Sequence, residues 1–100
     1  MIPNKFIDFI KDLRFKTING ELIWEVYSDP QMVEYDHKNF NIRVRYYFDE
    51  DLTIPFFYVY YTDKMRNQDY VFNTSKYESD YFLIEDLFAN AQASNFQNPW

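Results

Sequence analysis

Between Phe40 and Phe48 the chain alternates for nine residues: Phe40, Ile42, Val44, Tyr46 and Phe48 are separated by Asn41, Arg43, Arg45 and Tyr47. A period of two belongs to a strand with one buried face. A second stretch, Leu52 to Thr62, sets Ile54, Phe56, Tyr58 and Tyr60 against Pro55, Phe57, Val59 and Tyr61, and is apolar on both sides. Eleven Phe and ten Tyr stand against a single Gly in one hundred residues. These patterns predict an aromatic antiparallel sheet that needs helices to cover it.

The helices lie at the two ends. Ile2, Phe6, Phe9, Ile10 and Leu13 fall at helical spacing, with Ile7 and Phe15 widening the stripe. Pro3 suits a first helical turn and Asn19-Gly20 a stop, so helix 1 is expected over residues 3–17. Near the other end, Tyr81, Ile84, Leu87, Phe88 and Ala91 make a second stripe. Its start is either Ser75, whose spacing to Glu78 has the form of a capping box, or Ser79. Between the helices, strands are expected at 21–27, 40–48, 52–62 and 70–73, with residues 28–39 a loop or a short irregular crossing. The order is α-β-β-β-β-α: an α+β fold, a three- to four-stranded antiparallel sheet with both helices on one face. Residues 1–93 read as a single domain and 94–100 as a tail ending in Trp100.

The register of the central hairpin depends on its loop. A three-residue loop, Asp49-Glu50-Asp51, sets Val44 opposite Phe56, Ile42 opposite Tyr58 and Arg43 opposite Phe57; a four-residue loop reverses the face of the later strand. With three residues, the core takes Phe6, Ile10, Leu13, Trp24, Ile42, Val44, Tyr46, Phe56, Tyr58, Ile84, Leu87 and Phe88. The face away from the helices then carries Arg43, Arg45, Tyr47, Phe57, Val59 and Tyr61, joined by Ile23 and Tyr27. That group is the candidate interaction face, with Arg43 stacked on Phe57.

Composition narrows the chemistry. The absence of cysteine removes disulfides, thiol nucleophiles and thiolate metal sites. One Gly leaves no room for a phosphate-binding glycine loop. One His and four serines (Ser28, Ser75, Ser79, Ser94) offer no evident nucleophile and base, so no catalytic residue is expected. Asp29, Glu34, Asp36 and His37 gather donors in one polar stretch, but a metal needs three or four at fixed geometry; that stretch reads as solvated loop, with no metal and no cofactor. The net charge of −6 argues against nucleic acid as a partner. The Asp49-Glu50-Asp51 tip reads as turn chemistry rather than a mimic of nucleic-acid phosphates. No run of apolar residues reaches the length of a membrane span, and the charged first helix does not read as a signal peptide, so a cytoplasmic setting in a bacterium or phage-infected cell is expected.

Leu13-x-x-x-Thr17-x-x-Gly20-x-Leu22-x-Trp24, with Leu87-Phe88-x-x-Ala91 in the last helix, resembles a pattern of small uncharacterised bacterial and phage proteins. Gln92 stands where that pattern has Arg. The resemblance implies the same helix, sheet and helix arrangement and supplies no activity.

The leading expectation is a non-enzymatic protein-interaction or self-assembly module acting through the open aromatic face, with a homodimer as its simplest form. One alternative is a small-ligand or nucleotide-binding protein using Arg43, Arg45 and aromatic stacking. Another is an acidic, immunity-type inhibitor that blocks a partner enzyme.

Overall fold

The computed structural model describes residues 1–96. Helix α1 (Asn4–Ile18) leads into strands β1 (Glu25–Ser28), β2 (Gln31–Asp36), β3 (Phe40–Asp49), β4 (Ile54–Asp63) and β5 (Gln68–Ser75), and helix α2 (Tyr81–Ser94) closes the chain. The sheet is antiparallel throughout, with the strands side by side in chain order. Both helices lie on one face: Phe6 and Phe9 of α1 pack on Tyr61 at 5.2 and 5.5 Å, and Phe88 of α2 on Phe57 at 5.2 Å. The α+β arrangement expected from the pattern is therefore the one observed. Helix α2 runs through Ser94, and residues 97–100, Trp100 among them, lie outside the described residues.

The sheet has five strands because residues 28–39 are not a loop. Val33 and Tyr35 point toward the helices while Met32, Glu34 and Asp36 alternate with them, so β2 carries the same period of two with a more polar outer face. A two-residue turn at Asp29-Pro30, with a cis peptide bond, joins it to β1.

Helix α1 ends in a Schellman motif. The N–H of Glu21 bonds the Lys16 carbonyl (2.9 Å) and that of Gly20 the Thr17 carbonyl (3.1 Å), with Gly20 at φ +78°. The chain then delivers Trp24 to the core, 1% exposed. Its indole N–H donates to Thr17 Oγ1 (3.0 Å), while the Thr17 hydroxyl donates to the Leu13 carbonyl (2.7 Å). Its backbone N–H donates to Ser94 Oγ at 3.0 Å, which fixes α2 to the same point. Trp24 lies just before the sheet, and β1 begins only at Glu25 rather than at Glu21. The spacing Leu13, Thr17, Gly20, Trp24 is thus one hydrogen-bonded unit around a buried ring.

Ser75 and Glu78 make only half of a capping box: the Ser75 N–H donates to Glu78 Oε2 (2.6 Å), but the Glu78 N–H donates to the Ser75 carbonyl (2.9 Å) rather than to its hydroxyl. They close a turn, and α2 starts later, after Asp80. The Asp80 carboxylate instead accepts the Ile2 N–H (2.7 Å) and the Thr74 hydroxyl. Phe15 sits off the buried stripe and is exposed.

Candidate functional site on the open sheet face

The length of one loop decides which side chains reach the face without helices. Asp49 pairs with Ile54, so the loop is Glu50 to Thr53, four residues rather than three. The Asp49 carboxylate builds it by accepting the N–H groups of Asp51 and Leu52, both at 3.0 Å, and Thr53 takes the left-handed position at φ 57°. The next hairpin repeats the device. Asp63 Oδ1 accepts the N–H groups of Met65 (3.0 Å) and Arg66 (3.1 Å), and Asn67 stands at φ 54°. A carboxylate that organises the turn can stand in for the glycine that shorter loops prefer.

The extra loop residue turns β4 over. Val44 faces Val59, Tyr46 faces Phe57, and Arg43 faces Tyr60. Of the six residues expected on the interaction face, Arg43, Arg45 and Tyr47 are there. Phe57 (2% exposed), Val59 (0%) and Tyr61 are on the helix side, in or against the core. Phe56 and Tyr58, expected in the core, exchange places with them and join Tyr60 outside. Ile23 precedes β1 and belongs to neither row.

The open face is an ordered array. Tyr27, Met32, Arg45, Tyr58 and Asn73 form one row across the strands, and Glu25, Glu34, Arg43, Tyr60 and Val71 the next. Tyr47 and Phe56 continue it on one side. The Arg43 guanidinium carbon lies 5.3 Å from the centre of the Tyr60 ring, a contact worth about 0.5–1 kcal/mol at an exposed site. The Tyr58 and Tyr60 rings stack at 6.3 Å, and Tyr47 meets Tyr58 edge-on at 6.2 Å.

The two arginines have no ion pair among the described residues, although the chain holds sixteen carboxylates. The neighbouring acids are engaged elsewhere. Glu34, directly across from Arg43, accepts the Tyr27 hydroxyl (2.9 Å) and the Asn41 amide (3.0 Å). That bond from Glu34 pushes the Tyr27 phenol above its ordinary value. Asp36 takes Lys64 Nζ at 2.7 Å, and the Lys64 hydrogen bond holds its carboxyl below the usual range. The Nε of Arg43 and of Arg45 are each sealed from solvent with no acceptor among the described residues. Such a group is the exception in a folded protein and calls for an explanation.

Other candidate chemistry disperses. His37 stacks on Phe40 (4.8 Å) and its Nδ1 accepts the Asn39 N–H (3.1 Å), so it serves the turn between β2 and β3. Among the described residues no three His, Asp or Glu side chains stand together as a metal site would require. No helix among them is long and apolar enough to cross a membrane. Grooves of about 330, 450 and 160 Å³ open elsewhere, and none is lined by Arg43, Arg45 or Tyr58. No family model, no curated protein and no solved structure matches this chain.

Sequence reasoning missed Met32, Phe56, Tyr58 and Tyr60 as members of this face. The signal for the last three was the repeated spacing Asp49-x-x-x-Thr53 and Asp63-x-x-x-Asn67, which marks two loops of equal length.

Proposed function

We propose that this is a non-enzymatic interaction protein whose helix-free sheet face binds another protein. Arg43 and Arg45 receive carboxylates of the partner, and Tyr47, Phe56, Tyr58 and Tyr60 supply the apolar contact. The observation that carries this reading is the pair of guanidiniums, Arg43 held over the Tyr60 ring and Arg45 beside it, with no carboxylate partner among the described residues of an otherwise acidic chain. Arginine and tyrosine are the side chains most enriched where interfaces concentrate their binding energy. The planar fork of a guanidinium matches a carboxylate in two places, and the Tyr60 ring beneath Arg43 keeps that fork ordered before contact. A small ligand is disfavoured because such sites are concave, and the grooves described above lie away from the arginines.

Affinity capture from the cells that make the protein, comparing wild type with the Arg43→Glu/Arg45→Glu double variant, tests this reading. One or more proteins held by the wild type and lost on charge reversal, with the fold intact by circular dichroism, is the expected result. An identical captured set for both baits overturns it. A rise in melting temperature with a nucleotide, abolished in the same variant, would favour the small-ligand alternative.

A further inference from the structure

A sheet in the order β1 to β5 has two edges. β1 is only four residues long, and shortness protects an edge from unwanted pairing. β5 is eight residues long and contains neither proline nor lysine, two of the usual guards.

In an antiparallel pair, alternate residues turn their N–H and C=O toward the neighbour and away from it. Lys76 donates to the Pro55 carbonyl at 3.2 Å, which sets the phase. Tyr70, Phe72 and Thr74 therefore bond β4, while Asp69, Val71, Asn73 and Ser75 face outward. Two contacts agree and close one end of the edge: Ser75 N–H donates to Glu78, and the Asn73 carbonyl accepts the Met1 amine at 2.7 Å. Asp69 and Val71 have no such backbone partner among the described residues.

We infer that this open stretch pairs with the same stretch of a second copy, antiparallel and centred on Tyr70, so that two sheets become one. With that centre, Asp69 of each copy lies opposite Val71 of the other. Each such pair exchanges both N–H···O=C bonds, and every outward backbone group of Asp69 and Val71 is used. The groups of Asn73 and Ser75 that are already engaged stay outside the pairing. No like charges meet, because Asp69 faces Val71 rather than another Asp69. The contact is its own two-fold mate, so it closes after two copies instead of growing into a fibre. Tyr70 is 40% and Val71 59% exposed. A groove of about 450 Å³ walled by Phe6, Tyr61, Tyr70 and Phe72 lies alongside, and gives the incoming Tyr70 ring an aromatic seat. This inference does not rest on the open face, which the pairing leaves free on both copies.

Sedimentation of the full chain over a wide concentration range, with amide hydrogen exchange read residue by residue, tests it. The expected result is a dimer in which the Asp69 and Val71 amides exchange slowly, and a return to fast exchange at these two positions on dilution. Val71→Pro removes an outward N–H that β4 does not use, and should give a folded monomer. Val71→Lys, which keeps the N–H but charges the edge, should weaken the dimer and serves if the proline variant fails to fold. A monomer at all concentrations overturns the inference. So does a dimer whose Asp69 and Val71 amides exchange freely, or one broken by Arg43→Glu/Arg45→Glu but not by the Val71 variants. Failure of the edge would not touch the open-face reading, whose test is capture by the two arginines.

Discussion

The two faces of this sheet are drawn from the same short strands, yet they solve burial in opposite ways. On the helix side, Ile42, Val44, Phe57 and Val59 are removed from water by α1 and α2, and the polar groups buried with them, the Trp24 indole N–H and the Thr17 and Thr74 hydroxyls, have their partners. On the other side Arg43, Arg45, Tyr58 and Tyr60 cover one another, and two guanidinium nitrogens are left without partners. Apolar content does not separate the faces, since β4 is aromatic on both. What separates them is whether the polar groups are satisfied within the chain. The covered face is complete as it stands, and the open one has unused hydrogen-bonding capacity, which is the ground on which an interaction is proposed there.

Adjacent residues of β4 give the sharpest way to break that contrast. Phe57→Ala should cost about 3–5 kcal/mol, because it empties a site packed between Tyr46, Tyr81 and Phe88. Tyr58→Ala, one position along, should cost under about 1 kcal/mol, since it removes cross-strand contacts from a half-exposed surface. Urea unfolding of the two variants decides it. Equal losses would mean that the faces are not distinct.

Next in size is Thr17→Val. The shape is nearly kept, but the Trp24 indole N–H then has no acceptor inside the core, which should cost about 1–3 kcal/mol. Thr17→Ser keeps the hydroxyl and should recover much of the loss. If the Val and Ser variants unfold at the same urea concentration, the hydrogen bond is not what holds Trp24.

How far the sequence reveals these two faces depends on the kind of signal involved. Period-two and helical spacing are local and strong, so β3 and the buried stripe of α2 were legible residue by residue, and β4 as a strand. β2 was hidden because Glu34 and Asp36 on its outer face look like loop residues, while only Val33 and Tyr35 report the sheet. The face of β4 was illegible for a different reason. Both its sides are apolar, so the hydrophobic pattern carries no preference and the decision passes to one loop residue. Arg43, Arg45 and Tyr47 could be placed correctly because β3 has a polar side.

The loops themselves offer a finer comparison. Thr53 and Asn67 occupy equivalent left-handed positions in the two hairpins. A β-branched residue is strained at positive φ, whereas asparagine tolerates it. Thr53→Gly should therefore stabilise the protein by about 0.5–1 kcal/mol after allowing for the greater freedom of glycine when unfolded. Asn67→Gly should change stability less. A loss of stability in Thr53→Gly would show that the Thr53 side chain does something for the turn that outweighs its backbone strain.

The smallest effect expected is an acid one, at the end of the sheet where Asp36 lies on the open face and Asp63 on the helix side. The Lys64 hydrogen bond holds the Asp36 carboxyl below its ordinary value of 3.8, and the Arg66 hydrogen bond does the same for Asp63. A carboxyl lowered in the folded state binds its proton less readily there than in the unfolded chain. Its contribution is therefore complete above the ordinary value and is lost as pH falls through the folded one. The urea midpoint should stay level, as far as these groups are concerned, from neutral pH to about pH 5 and decline below about pH 4. Asp36→Asn or Asp63→Asn should make that decline shallower. Added salt should reduce the difference, more for Asp36 than for Asp63, because both partners of the Asp36–Lys64 pair reach solvent while only Arg66 does in the other. A midpoint that fell between pH 7 and 5 by the same amount in wild type and both variants would remove these carboxylates as the cause.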